Sequence, residues 1–94
     1  MVEKTYNGWT NYATWRVNLE IFDGLDPRDM GWSRLDKYDL SLILREHAEE
    51  LIVLTSPEGL ARDYAMAFVD NVNYREIAEM MLESYAEETE TEDA

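Results

Sequence analysis

The chain has 94 residues, 46% of them hydrophobic, with 21 acidic against 8 basic side chains and a formal net charge of −13. That length makes one domain with a modest core, and the apolar content argues for a folded chain despite the charge. There is no cysteine, so disulfides and thiolate zinc sites are excluded. No apolar run approaches the ~20 residues of a membrane helix.

The charge is unevenly spread. All eight bases lie in residues 1–75, while residues 76–94 hold eight acids and no base. Nucleic-acid binding is driven by Lys and Arg displacing counterions, so direct binding to DNA or RNA is not expected. An acidic field instead steers a protein toward basic surfaces, including the nucleic-acid grooves of other proteins. The chain does not open on a basic segment followed by an apolar one, so a secretory leader is not expected. With the cysteine count, this points to a cytoplasmic setting.

In chain order, Asn7-Gly8 marks a turn. Thr10 or Asn11 caps a first helix starting near Tyr12, with Tyr12, Trp15, Leu19 and Phe22 on one face. The same stretch also alternates, with Trp15, Val17, Leu19 and Ile21 apolar. A strand over residues 14–22 therefore stands as the alternative. Residues Asp23–Ser33 read as a loop around Pro27. Ser33 or Asp39 caps a second helix reaching Leu54, with Leu40, Ile43, Leu44, Leu51 and Leu54 on one face. Ser56 as cap and Pro57 at the first position open a third helix. It carries Leu60, Tyr64, Ala67, Phe68 and Asn71 on one stripe.

Asn73, followed three residues later by Glu76, opens a fourth helix to about Ala86. Ile77, Met80, Met81 and Tyr85 are expected inside it, with Glu76, Glu79, Glu83 and Glu87 on the opposite face. Residues 87–94, with five acids in eight positions, read as a disordered tail. The fold expected is all-α: a compact bundle of three to four short helices over residues 1–86, with the acidic tail at 87–94. An α+β domain with a short N-terminal strand element is the alternative.

Little in the sequence suggests catalysis. His47 is the sole histidine and falls within the apolar stripe of the second helix. Its spacing to Glu50 is one known from metal-binding helices. It occurs once, with only Glu20 or Asp23 to complete a set, so a hydrogen-bonded core histidine is the simpler reading. No carboxylate pair is marked by contrasting environments, no glycine-rich phosphate loop is present, and Ser56 reads as a cap. A non-enzyme without cofactor or metal is expected.

The acidic stripe is the most suggestive array. Spacings of three and four put Glu76, Glu79, Glu83 and Glu87 about 4.5–6 Å apart along a helix, comparable with the charge density of a duplex. Such a stripe suits a groove built for phosphates. Glu46 and Glu50 are further candidates for partner contacts. The bland alternative is a solvated outer face, although like charges at these spacings slightly destabilise a helix.

The segment "YNGWTNYATWRVNLEIFDG" resembles the N-terminal signature of a family of small proteins of phages, prophages and plasmids. The matching positions are Asn11, Tyr12, Thr14, Trp15, Val17, Leu19 and Ile21, preceded by Gly8, Trp9 and Thr10. Family members often carry Glu at the position of Ala13, which would complete a capping box with Thr10. The resemblance covers about a fifth of the chain and transfers no functional residue. It implies a mobile-element context, in which small acidic proteins often counter CRISPR or restriction systems. The leading expectation is an acidic inhibitor in the bacterial cytoplasm. It would bind a basic nucleic-acid-binding surface of a host defence complex. The alternative is an accessory or assembly module docking through apolar residues, with Val17, Ile21, Trp32, Met80 and Met81 as contacts. The aromatic run Tyr6, Trp9, Tyr12 and Trp15 reads as a clamp on the fold. A base-stacking platform would need basic neighbours.

Overall fold

The computed structural model describes residues 6–93, with side chains for residues 6–85. Its helices are α1 (Tyr12–Val17), continued by a π-helical turn (Asn18–Phe22), then α2 (Pro27–Met30), α3 (Lys37–Thr55), α4 (Leu60–Asp70) and α5 (Tyr74–Asp93). The all-α expectation holds, with five α-helices among the described residues in place of the three to four expected, because Asp26 caps a short helix, α2, inside the stretch read as a loop. Among the described residues the only β feature is a bridge between Tyr6 and Trp9. Asn7 and Gly8 join its two sides with φ of +47° and +86°, as a tight hairpin turn requires. α5 runs past its expected end near Ala86 to Asp93, so the backbone of the tail expected to be disordered at 87–94 is helical as far as Asp93; its side chains lie outside those described.

Asn11 is the cap of α1: its Oδ1 accepts from the Thr14 N–H at 2.9 Å. The inward face that follows is Ala13, Thr14 and Val17. Continued α winding would carry position 22 about 140° round from Val17. The π turn prevents this. The Asp23 N–H reaches back five residues to the Asn18 carbonyl at 2.7 Å, and the wider turn returns Phe22 to the buried face. Leu19, expected on one face with Phe22, is exposed while Phe22 is buried. The alternating pattern of this stretch therefore marks a change of helical winding and not a strand.

Asp36 caps α3 by accepting from the Asp39 N–H at 2.8 Å, displacing both Ser33 and Asp39 from that role. Leu40, Leu44 and Ala48 of α3 are fully buried and face Ile77 and Ala78 of α5 in the central cluster. Leu51 and Leu54, expected on this face, are exposed, and it is Ile52, four residues after Ala48, that packs on the core. His47 lies between two rings, with centroids 5.9 Å from both Phe22 and Trp32. Among the described residues no group of three or more His, Cys, Asp or Glu side chains is placed to hold a metal. No helix there is long and apolar enough to cross a membrane.

Ser56 ends α3 and does not start α4: its hydroxyl donates to the Ile52 carbonyl at 2.6 Å. The helix begins four residues later, after Gly59 at φ +146°. A side chain at that φ would be strained, so a glycine suits the bend.

Candidate functional site

The N-terminal segment around Asn11 and Thr14 folds into a hydrogen-bonded clasp on the α4–α5 junction. Asn11 accepts from both the backbone N–H and the hydroxyl of Thr14, at 2.9 and 2.7 Å. Its amide donates to the Asn71 carbonyl at 3.0 Å. The Thr14 oxygen in turn accepts from the Asn73 N–H at 2.9 Å. Asn73 donates to the Thr10 hydroxyl at 3.1 Å. Thr14 is wholly buried, so its hydroxyl is used as donor and acceptor at once, and a buried polar group is stable only when so satisfied.

Glu76 completes this clasp. Its Oε1 accepts from the Thr10 N–H at 3.0 Å, and its own N–H donates to Asn73 Oδ1 at 3.2 Å. Local capping of Thr10 by residue 13 is impossible with Ala13. A carboxylate 66 positions away takes that donor instead. Glu76 is only 6% exposed. It is therefore a structural residue and not the first member of an outward acidic stripe.

The other expected contacts divide. Glu79 forms an ion pair with Lys37 at 3.1 Å, and that partnership raises the Lys37 pKa. Glu83, Glu46 and Glu50 are exposed. Glu87 lies outside the residues whose side chains are described. Glu46 and Glu50 share α3 at a spacing of four, so they lie one turn apart. Glu83 belongs to α5. The stripe read as a continuous row is thus interrupted at its first two positions.

The apolar contacts of the alternative reading also move. Val17 and Trp32 are buried, and Ile21 and Met81 pack on the core, which leaves Met80 exposed. The exposed apolar face is elsewhere, on α4. At 100° per residue, Leu60, Tyr64, Ala67 and Phe68 fall within roughly a 100° arc. Leu60 is 66% exposed, Tyr64 68% and Phe68 38%, with Ala67 exposed between them. Val69, on the opposite side, is the buried residue of α4. An apolar stripe of this kind usually faces the core; the structure turns it outward.

Arg62 explains the orientation. Its guanidinium donates to the Ser56 carbonyl at 2.6 Å and the Val53 carbonyl at 3.0 Å. These are unpaired acceptors at the end of α3. Holding Arg62 on the α3 side sends positions 60, 64 and 68 the other way. Tyr12 borders the outward face, its ring 6.1 Å from that of Phe68 in an edge-on arrangement. Tyr12 in turn meets Tyr6 edge-on at 5.1 Å and Trp15 at a tilt at 5.7 Å. A shallow groove runs between α1 and α4, lined by Asn11, Tyr12, Ala13, Tyr64, Ala67 and Phe68 among others. Its far edge carries Asp70, which pairs with Arg45 at 2.6 Å.

No family model matches this chain, nor does any curated protein or solved structure.

Proposed function

We propose that this chain is a non-enzymatic acidic protein of a phage or other mobile element, acting in the bacterial cytoplasm. It binds a basic nucleic-acid-binding surface of a host defence complex, CRISPR or restriction, and partly stands in for phosphates. The observation carrying this reading is how the bases are used. Arg16 pairs with Glu20, Arg28 with Asp26, Lys37 with Glu79, and Arg45 with both Glu49 and Asp70. Arg62 is held by carbonyls, Arg75 lies 4.7 Å over the Tyr38 ring, and Arg34 is an exposed base without an acidic partner among the described residues. Glu46, Glu50 and Glu83 have no basic partner among the described residues. The molecule's field is therefore set by carboxylates without counterions, which is the requirement for meeting Arg and Lys of a partner.

Glu46, Glu50 and Glu83 are the contacts this reading now names. Glu79 joins them only by leaving Lys37, and Glu76 drops out. The test is displacement of DNA from a CRISPR effector or restriction enzyme. Reversing Glu46, Glu50 and Glu83 to Lys together is expected to weaken displacement at least tenfold, with a steep salt dependence in the parent. Undiminished displacement by the triple variant removes the contact model.

A further inference from the structure

An amphipathic helix normally turns its apolar arc to the core, and α4 does the reverse. We propose that the outward face of α4, with Tyr12, is a docking groove for a basic amphipathic helix of a partner protein. The inference takes from the proposed function only that the partner is basic; the surface itself is a separate one.

The geometry fits a helix. Leu60 to Phe68 spans eight residues, about 12 Å or two turns. The ridge of large side chains at i, i+4 and i+8 lies beside a floor of small ones, Ala13 and Ala67. Such a ridge and groove interdigitate with apolar residues spaced three and four apart on a facing helix. Tyr and Phe are suited to anchor such contacts because they bury large area with few rotamers.

Charge selects the partner's sign. Asp63 flanks the apolar arc on α4, and Glu58 precedes the helix. Both are exposed, and neither has a basic partner among the described residues. The one base of α4, Arg62, is held by the α3 carbonyls on the other side. The outward face of α4 therefore presents apolar side chains with Asp63 and Glu58 beside them, while Asp70, at the groove's own edge, is paired with Arg45. A helix with Lys or Arg beside its apolar ridge complements both. A second copy of this chain would bring another charge of −13 to the same face, which opposes self-association.

The test uses the full chain, isotope-labelled for NMR. The probe is an 18-residue helical peptide with leucines at i, i+4, i+7 and i+11 flanked by lysines. Its control keeps the leucines and replaces lysine by glutamate. The lysine peptide is expected to shift amides of α4 and residues 11–13. Tyr64→Ser combined with Phe68→Ser should weaken it at least tenfold, and Asp63→Lys with Glu58→Lys several-fold. Leu42→Ser, at an exposed apolar site on α3, should leave it unchanged. Equal binding of the glutamate peptide, or undiminished binding by the Tyr64/Phe68 variant, overturns the proposal. So does sedimentation showing that α4 is covered by a second copy at micromolar concentration. Loss of binding on reversing Glu46, Glu50 and Glu83, with the Tyr64/Phe68 variant unaffected, rejects this groove while leaving the acidic contact model standing.

Discussion

Helices α4 and α5 meet opposite fates, and both reverse the simple expectation for their pattern. α5 carries a row of glutamates, and the first of them is drawn into the interior. α4 carries a row of large apolar side chains, and the structure leaves it facing solvent. In each case a polar anchor near the N-terminus of the helix decides the rotation. Glu76 is held by the Thr10 N–H, and Arg62 is held by the end carbonyls of α3. Hydrophobic burial is non-directional and proportional to area, so a helix with two usable faces is open to being oriented by a few directional bonds.

The largest expected effect breaks the buried half of this comparison. Ile77 of α5 is 1% exposed against Leu40 and Leu44 of α3. Ile77→Ala removes that packing and leaves a cavity, at a cost of about 2–5 kcal/mol. In a 94-residue domain this is a large share of a total stability of roughly 5–15 kcal/mol. Chemical denaturation followed by circular dichroism should show a midpoint far below the parent's. A midpoint close to the parent's would mean that α5 is not docked on α3 by this face.

Next is the clasp. Glu76→Ala leaves the Thr10 N–H without its acceptor in a part-buried setting, and Thr14→Val removes the oxygen that accepts from Asn73. Each should cost about 1–3 kcal/mol, the usual penalty for an orphaned buried group. A double-mutant cycle should give non-additive losses, because both substitutions act on the same α1–α5 junction. Additive losses would show that the signature residues stabilise only their own helix.

A third test uses pH. The Tyr74 hydroxyl donates to the Val69 carbonyl at 2.7 Å, and burial pushes its pKa from 10.0 up to about 12. The unfolded chain then loses this proton at lower pH than the folded one. The contribution is complete below pH ~10 and is lost as pH rises towards ~12. Urea midpoints in the parent should fall across that window, and Tyr74→Phe should flatten the fall.

How much of this was legible in sequence follows from the same anchors. The helix at Asn11, the Asn7-Gly8 turn and the Leu40/Leu44 face came from local rules, since caps, turns and periodicity depend on nearby residues. The winding change at Asn18–Phe22 left a trace, an apolar pattern fitting neither period cleanly. Glu76 was misplaced because its partner lies 66 residues away and nothing in its own helix points to Thr10. The outward turn of α4 was illegible for a similar reason: Arg62 reads as a surface base until the α3 carbonyls are placed beside it. The break at Gly59 had a local signal in Pro57-Glu58-Gly59, outweighed by the stronger cap pattern of Ser56-Pro57.

The smallest effect on stability is the one that sharpens the comparison most. Tyr64 is 68% exposed, and substitutions at such positions usually change stability by no more than about 0.5 kcal/mol. Tyr64→Ser should therefore unfold with the parent's midpoint. Had α4 packed its apolar arc inward, the same substitution would cost several kcal/mol, as truncation of a buried aromatic does. One melting curve thus separates the two rotations of α4. A neutral result also frees Tyr64→Ser for binding experiments, because any lost affinity then belongs to the surface and not to the fold. Loss of the lysine peptide's binding in Tyr64→Ser, with the melting curve unchanged, would then assign the exposed row Leu60, Tyr64 and Phe68 to the docking face proposed above.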